Sequence, residues 1–209
     1  MKLFYASGAS SLAVHILLEE SSLKYGLEKV NLDTKTWNNS DYNLINSKSY
    51  VPALELDNGE ILTECAVILE YVAHKVPAQN LIGEYGSTTY WQQRTWLNYI
   101  ATELHKNFIS PFRAGNWLPN TAESKELVYK RVFPRLKFID KQLGQQEYLV
   151  NNRFSVPDTY LFVMTNWLQR LEYGFDDLEN LQRFDTNMRK RFAVQNVLQQ
   201  EGKPHSLQE

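Results

Sequence analysis

Val51-Pro52-Ala53-Leu54-Glu55-Leu56 leads through an Asp57-Asn58-Gly59-Glu60 turn into Ile61-Leu62-Thr63 and then Glu64-Cys65-Ala66. Proline cannot donate to a sheet ladder, so Pro52 belongs at the first residue of a strand. A cis Val51-Pro52 bond is tolerated there and leaves Val51 exposed, with its N–H and C=O open to a passing ligand backbone, as in strand addition. Asn58-Gly59 between two apolar runs is a hairpin signal that pairs residues 53 to 56 with 60 to 63. From Cys65 onward, Val67, Ile68, Tyr71 and Val72 keep helical spacing. The first amides of that helix are free to bind a carboxylate, and Glu64 beside them suits an ammonium. A backbone edge, an anion site and an acidic side chain fit a tripeptide; the same residues also suit a hairpin and helix packed for stability alone.

The rest of the first eighty residues alternates strand and helix. Leu3-Phe4-Tyr5 is a short apolar strand, Ser7-Gly8-Ala9-Ser10 a turn, and Leu12, Ala13, Ile16 and Leu17 one face of a helix ending near Ser21. Glu28 to Leu32 alternates as a second strand, which implies a right-handed parallel crossover. With the hairpin and its helix this makes a mixed sheet of about four strands, the outline of a thioredoxin-like α/β domain. Residues 34 to 50, rich in Thr, Asn, Ser and Asp, are expected to hold a short helix beneath the ligand site.

Beyond residue 78 the pattern changes. Residues 79–86 carry the polar and glycine composition of a connection, and residues 87–209 read as all helical. Tyr90, Trp91, Thr95, Trp96, Tyr99, Ile100 and Leu104 form one stripe, and a long helix is predicted from Glu123 to Leu143. Ser155-Val156-Pro157-Asp158 has the spacing of a capping box ahead of a buried helix through Leu171. The expected organisation is therefore residues 1–78, a linker, and an all-α domain.

Composition narrows the function classes. A net charge of −2 with no block of like charges offers no attraction to phosphate backbones, so nucleic acid is not an expected partner. No apolar run has membrane-spanning length, which predicts a cytoplasmic protein without a membrane partner. The single Cys65 excludes an internal disulfide, and the four histidines lack ligand spacing, so no metal is expected.

Motifs along nearly the whole chain resemble the cytosolic glutathione transferases, and in detail the bacterial beta class. They are Lys2-Leu3-Phe4-Tyr5 through Gly8-Ala9-Ser10-Ser11-Leu12-Ala13, Val51-Pro52-Ala53-Leu54, Thr63-Glu64, Trp96 through Lys106, and Phe154-Ser155 through Phe162. The resemblance implies the thioredoxin-like plus all-α fold and a homodimer. Its co-substrate is glutathione, whose thiolate is conjugated to a hydrophobic electrophile. The alternatives of the same fold are a catalytically silent glutathione-binding or regulatory protein and a glutathione-dependent reductase or isomerase.

Carried over position by position, the resemblance implies Val51 and Pro52 for backbone pairing, Glu64 and Cys65 for the γ-glutamyl end and Lys35 for the glycyl end. Lys106 would complement the anion, and Asn98 and Glu103 would lie near the partner's glutathione. Beta-class enzymes usually carry cysteine where this chain has Ser10, and that thiol can form a mixed disulfide. Ser10 cannot, but a hydroxyl at a helix N-terminus can donate to the sulfur and favour thiolate. Each unit of depression from a thiol pKa of about 8.5 is roughly 1.4 kcal/mol. Ser10 can equally be only a helix cap, with Ser11 and then Tyr5 as the other hydroxyls. His105 is the expected residue facing the sulfur from the helical domain, suited to proton handling. Phe108, Phe112, Trp117 and Tyr160 are candidate linings of the electrophile pocket, or core aromatics. Cys65 stands where serine or another small residue is common, and Asn46 to Tyr50 departs from the family's proline and glycine.

Overall fold

A computed structural model describes residues 1–108 and 118–203. Residues 1–82 together with the last helix make one compact unit, and residues 83–191 make the other.

In the first unit, strand β1 (Lys2–Tyr5) leads into helix α1 (Ser11–Ser21) and strand β2 (Gly26–Lys29). A small hairpin follows, β3 (Thr36–Trp37) and β4 (Ser40–Asp41), then a 3-10 turn at Tyr42–Leu44. Strands β5 (Ala53–Glu55) and β6 (Ile61–Thr63) precede helix α2 (Cys65–His74). The sheet order is β2-β1-β5-β6, with β1 parallel to β2 and the other pairs antiparallel. Ala53 faces Thr63 and Glu55 faces Ile61, the expected pairing of 53–56 with 60–63, closed by the three residues Asp57-Asn58-Gly59 with Gly59 at φ 84°. Two expectations are corrected. The second strand lies two to three residues earlier than Glu28–Leu32, because Lys2 pairs with Gly26 and Leu32 is exposed. The short helix expected in 34–50 is a β-hairpin plus one 3-10 turn.

Helix α1 is buried on nearly every side, from Ser11 through Leu18. An apolar helix with no polar stripe needs cover all round. It packs against β1, α2 and the last helix, α8 (Phe192–Glu201). Phe4, Val30, Tyr42, Val51 and Ala53 close a second cluster on the other side of β1, with Trp37 edge-on to Phe4.

In the second unit, α3 (Thr88–Tyr99) continues through a π-helical stretch, Ile100–His105, into a short α4 (Lys106–Phe108). Helices α5 (Ala122–Leu143), α6 (Val156–Arg170) and α7 (Glu179–Arg189) complete it. The capping box at α6 is formed, with Ser155 and Asp158 bonding reciprocally. Twelve of the fifteen residues of α6 are buried, which makes it the centre of this unit. Among the described residues, no helix is long and apolar enough to cross a membrane.

Candidate functional site

The Val51-Pro52 bond is cis, and Val51 is 8% exposed. The expectation that Val51 is exposed is therefore corrected: its side chain belongs to the core cluster around Phe4, and only its backbone can meet a ligand. Ser10, 4% exposed, donates its hydroxyl to the Val51 carbonyl at 3.1 Å. Ser10 makes no side-chain cap to α1, so the helix-cap reading fails: its backbone is already helical, and a cap needs extended geometry to turn its oxygen onto the first amides. The Cys65 thiol, also buried, lies 3.5 Å from the Ser10 carbonyl. Ser10, Val51 and Cys65 thus meet at the junction of α1, the entry to β5 and the start of α2.

Glu64 has φ 71° and ψ 116°, a conformation that L residues other than glycine rarely adopt. It costs on the order of 1–3 kcal/mol and recurs where a binding site fixes the backbone. Glu64 immediately precedes α2, and its side chain is exposed. Lys48 reaches it at 2.6 Å and also donates to Thr63 Oγ1 at 2.8 Å. Lys48 was not among the expected site residues. The pair is half exposed, so solvent screening leaves it worth no more than about 1 kcal/mol.

The hydroxyls near Ser10 differ in their engagements. Ser11 Oγ accepts from Ala6 N–H and donates to Ala6 C=O, both at 3.2 Å, closing the turn ahead of α1. Tyr5 is half buried, and burial followed by the nearby Glu201 carboxylate raises its pKa, which makes it a weaker proton donor. Lys35 is exposed, with φ 55°, and its carbonyl accepts from Tyr42 N–H. Sequence reasoning also missed Glu201 in α8. Its carboxylate takes the Gly8 amide at 3.0 Å and His15 Nδ1 at 2.9 Å, and its carbonyl takes the Ser7 hydroxyl at 2.7 Å. Nothing in the sequence marks a contact 186 positions apart.

In the second unit, His105 Nδ1 lies 2.5 Å from the Tyr160 hydroxyl, with the rings of Tyr160 and Trp167 edge-on to the imidazole. Phe108 is wholly buried against Trp167, and Tyr160 is 2% exposed; both pack as core aromatics. Phe112 and Trp117 lie outside the described residues. Glu103 pairs with Arg135 at 2.8 Å, Asn98 is exposed with its carbonyl accepting from Thr102 Oγ1, and Lys106 is exposed.

Residues 9–75 match the N-terminal domain of glutathione S-transferases and residues 80–191 match the C-terminal domain. Glutathione S-transferase GstA of Escherichia coli O157:H7 is 39% identical over 97% of this chain and 99% of its own. The chain belongs to the glutathione S-transferase family. A bacterial beta-class glutathione S-transferase of Sphingomonas chungbukensis is 34% identical, with a TM-score of 0.90 over 97% of this chain and 99% of its own. A sphingomonad glutathione S-transferase complexed with glutathione is 33% identical, with a TM-score of 0.89 over the same shares. The protein is a beta-class-like glutathione transferase, with a thioredoxin-like domain and a helical domain as the resemblance implied.

Proposed function

We propose that the first unit, within residues 1–78, binds glutathione along Val51 and the start of α2, and that Ser10 orients the sulfur for attack on a hydrophobic electrophile. The observation that carries this reading is the backbone of Glu64, held at φ 71° immediately ahead of α2. A packed hairpin has no use for such a conformation, whereas a ligand ammonium needs its carboxylate at that point. The ligand's carboxylate then meets the first amides of α2, Cys65 among them, where the helix dipole favours an anion. Lys35 serves the glycyl end, and Lys106 supplies further positive charge. Lys48 can follow the γ-glutamyl carboxylate when the ligand ammonium takes its place on Glu64.

Ser10 acts by an exchange of partners. In the free protein its proton rests on the Val51 carbonyl. When the cysteinyl N–H of glutathione pairs with that carbonyl, the Ser10 O–H is released to donate to the sulfur and lower the thiol pKa. Only the thiolate attacks, so the bond that forms is sulfur to electrophilic carbon, and the leaving group or addition site takes the electron pair. His105, the residue that the family resemblance suggests, handles the accompanying proton. A thiol at residue 10 would allow a mixed disulfide with glutathione; a hydroxyl cannot form one.

The homodimer, with Asn98 and Glu103 reaching the partner's glutathione, and the cytoplasmic setting rest on the family resemblance. The test is Ser10→Ala. Turnover with a generic aromatic electrophile should fall, and the apparent pKa of bound glutathione, read from thiolate absorbance, should rise. An unchanged pKa would move the role to Ser11 or Tyr5. Retention on glutathione resin without turnover across several electrophiles would overturn conjugation.

A further inference from the structure

We propose that Tyr160 is the positioning residue of His105, its hydroxyl donating to Nδ1 and so holding the neutral imidazole with its proton on Nε2. The inference deepens the proposed function, since it rests on His105 handling the proton of the conjugation step. Three observations carry it.

The hydrogen bond is short, 2.5 Å between Nδ1 and the phenol oxygen. It is also sheltered: Tyr160 is 2% exposed, on the most buried helix of its unit. Between a phenol and a neutral imidazole, the phenol is the better donor and the ring nitrogen the better acceptor. The O–H therefore points at Nδ1, and the one imidazole proton is left for Nε2.

The second observation is the clasp around the ring. Tyr160 and Trp167 are seven residues apart on α6, two turns, and so share one face. Their rings stand at 85° and 82° to the imidazole, with centroids at 5.7 and 5.0 Å. Phe108, wholly buried, backs Trp167 at 6.3 Å. With both rings edge-on and close, a flip that exchanges the imidazole nitrogens must break the Tyr160 contact.

The third is the backbone that delivers His105. It ends the π-helical segment Ile100–His105, inserted between α3 and α4. A widened turn shifts the side chains that follow by one position relative to a straight helix, and such insertions often sit at functional sites. His105 is the last residue of this widened stretch and meets Tyr160 there.

The consequence is that the reactive orientation of His105 is set by α6 and not by His105 alone. The experiment is 15N NMR of the histidine side chains in the full chain, with His105 assigned from the His105→Gln variant. Wild type should show His105 as the Nε2–H tautomer. In Tyr160→Phe, which keeps the ring, the two nitrogen shifts of His105 should move together toward a mixture. The pH profile of kcat should shift with them, while KM for glutathione stays within about twofold, as for a group acting on proton transfer rather than binding. Unchanged His105 nitrogen shifts in Tyr160→Phe would overturn the proposal, as would an Nδ1–H tautomer in wild type. Wild-type turnover by His105→Gln would instead overturn the proton role of His105, and that result is separable because the NMR readout does not depend on activity.

Discussion

Replacing Glu64 by glycine and by alanine separates the strain of its backbone from the work of its carboxylate. Both variants lose the Lys48 ion pair, so that contribution cancels between them. Alanine keeps the Cβ that clashes at φ 71°, a cost on the order of 1–2 kcal/mol, whereas glycine pays none of it. Glycine gives back about 0.5–1 kcal/mol through the greater freedom of its unfolded chain. The net expectation is that Glu64→Gly is more stable than Glu64→Ala by about 1 kcal/mol, which for a chain of this size is roughly 2–4 °C in Tm. Glycine is preferred to alanine at an ordinary helix N-cap as well, so it is the size of the margin that reports the strain. Glutathione affinity should fall in both by the same amount. A hydrogen bond to a charged group contributes about 1.5–3 kcal/mol, and the exposure of Glu64 trims that to about 1–2, or roughly 5- to 30-fold in Kd. Differential scanning calorimetry gives the first quantity and isothermal titration with glutathione the second. If Glu64→Ala proves the more stable, the backbone is not strained. If Kd is unchanged in both, the ammonium does not bind there.

Glu201→Ala should be among the most damaging single changes: it strips partners from buried His15 and the Gly8 amide, and chemical denaturation should show a loss of about 3–5 kcal/mol. Glu201→Gln keeps hydrogen-bonding capacity and should retain part of that stability, which the same titration will measure. Asp158 carries a pH dependence. Burial pushes its carboxyl up to about 7, against the Leu149 and Ser155 amides and the Ser155 hydroxyl, which favour the anion. The folded chain therefore binds a proton there up to about pH 7 while the unfolded chain releases it near about 4, so stability falls as pH rises across that window. The Tm difference between pH 5 and pH 8 should shrink in Asp158→Asn, and an equal difference would show that Asp158 is ionised throughout.

What the sequence made legible was local. The register of β5 against β6 follows from the three-residue loop Asp57-Asn58-Gly59, whose left-handed Gly59, at φ 84°, lets Leu56 face Glu60. The Ser155–Asp158 cap follows for the same reason, since both partners lie within one turn. The β3–β4 hairpin was legible and overlooked: Asn38-Asn39, with φ 46° and 61°, is the pair of left-handed residues that such a turn requires, and Asn is the side chain that tolerates it. The early placement of β2 was not legible, because the alternation of Glu28 to Leu32 continues past the end of the β1 ladder. Val30 N–H still reaches the Tyr5 carbonyl at 2.8 Å, so the chain stays extended where the paired strand has ended. Lys48 was hidden because an exposed lysine on a polar loop has no pattern. The failure of Ser10 as a cap was hidden because its alternative partner, Val51, is 41 residues away.

The turn carrying Ser10 is fastened from three directions, all within the first unit, and this bears on what α8 is for. Ser11 closes the turn onto Ala6, Ser10 ties it to Val51, and Glu201 of α8 holds Ser7 and Gly8. The first two bonds join hydroxyls to backbone groups and contribute about 1 kcal/mol each. The Glu201 carboxyl serves a buried imidazole and a backbone amide at once, and each is costly to leave unpaired, so its loss is several times more damaging. The position of Ser10 therefore depends most on a residue near the end of the chain, which reaches it through two neighbours and touches no reacting atom. Shortening the chain to end at Arg191 would leave His15 without its carboxylate and α1 with an apolar face in water. Glutathione binding should then weaken along with stability, although every residue proposed to touch the tripeptide is still present. Affinity for glutathione that survives the truncation at wild-type strength would show that the turn holds its shape without α8.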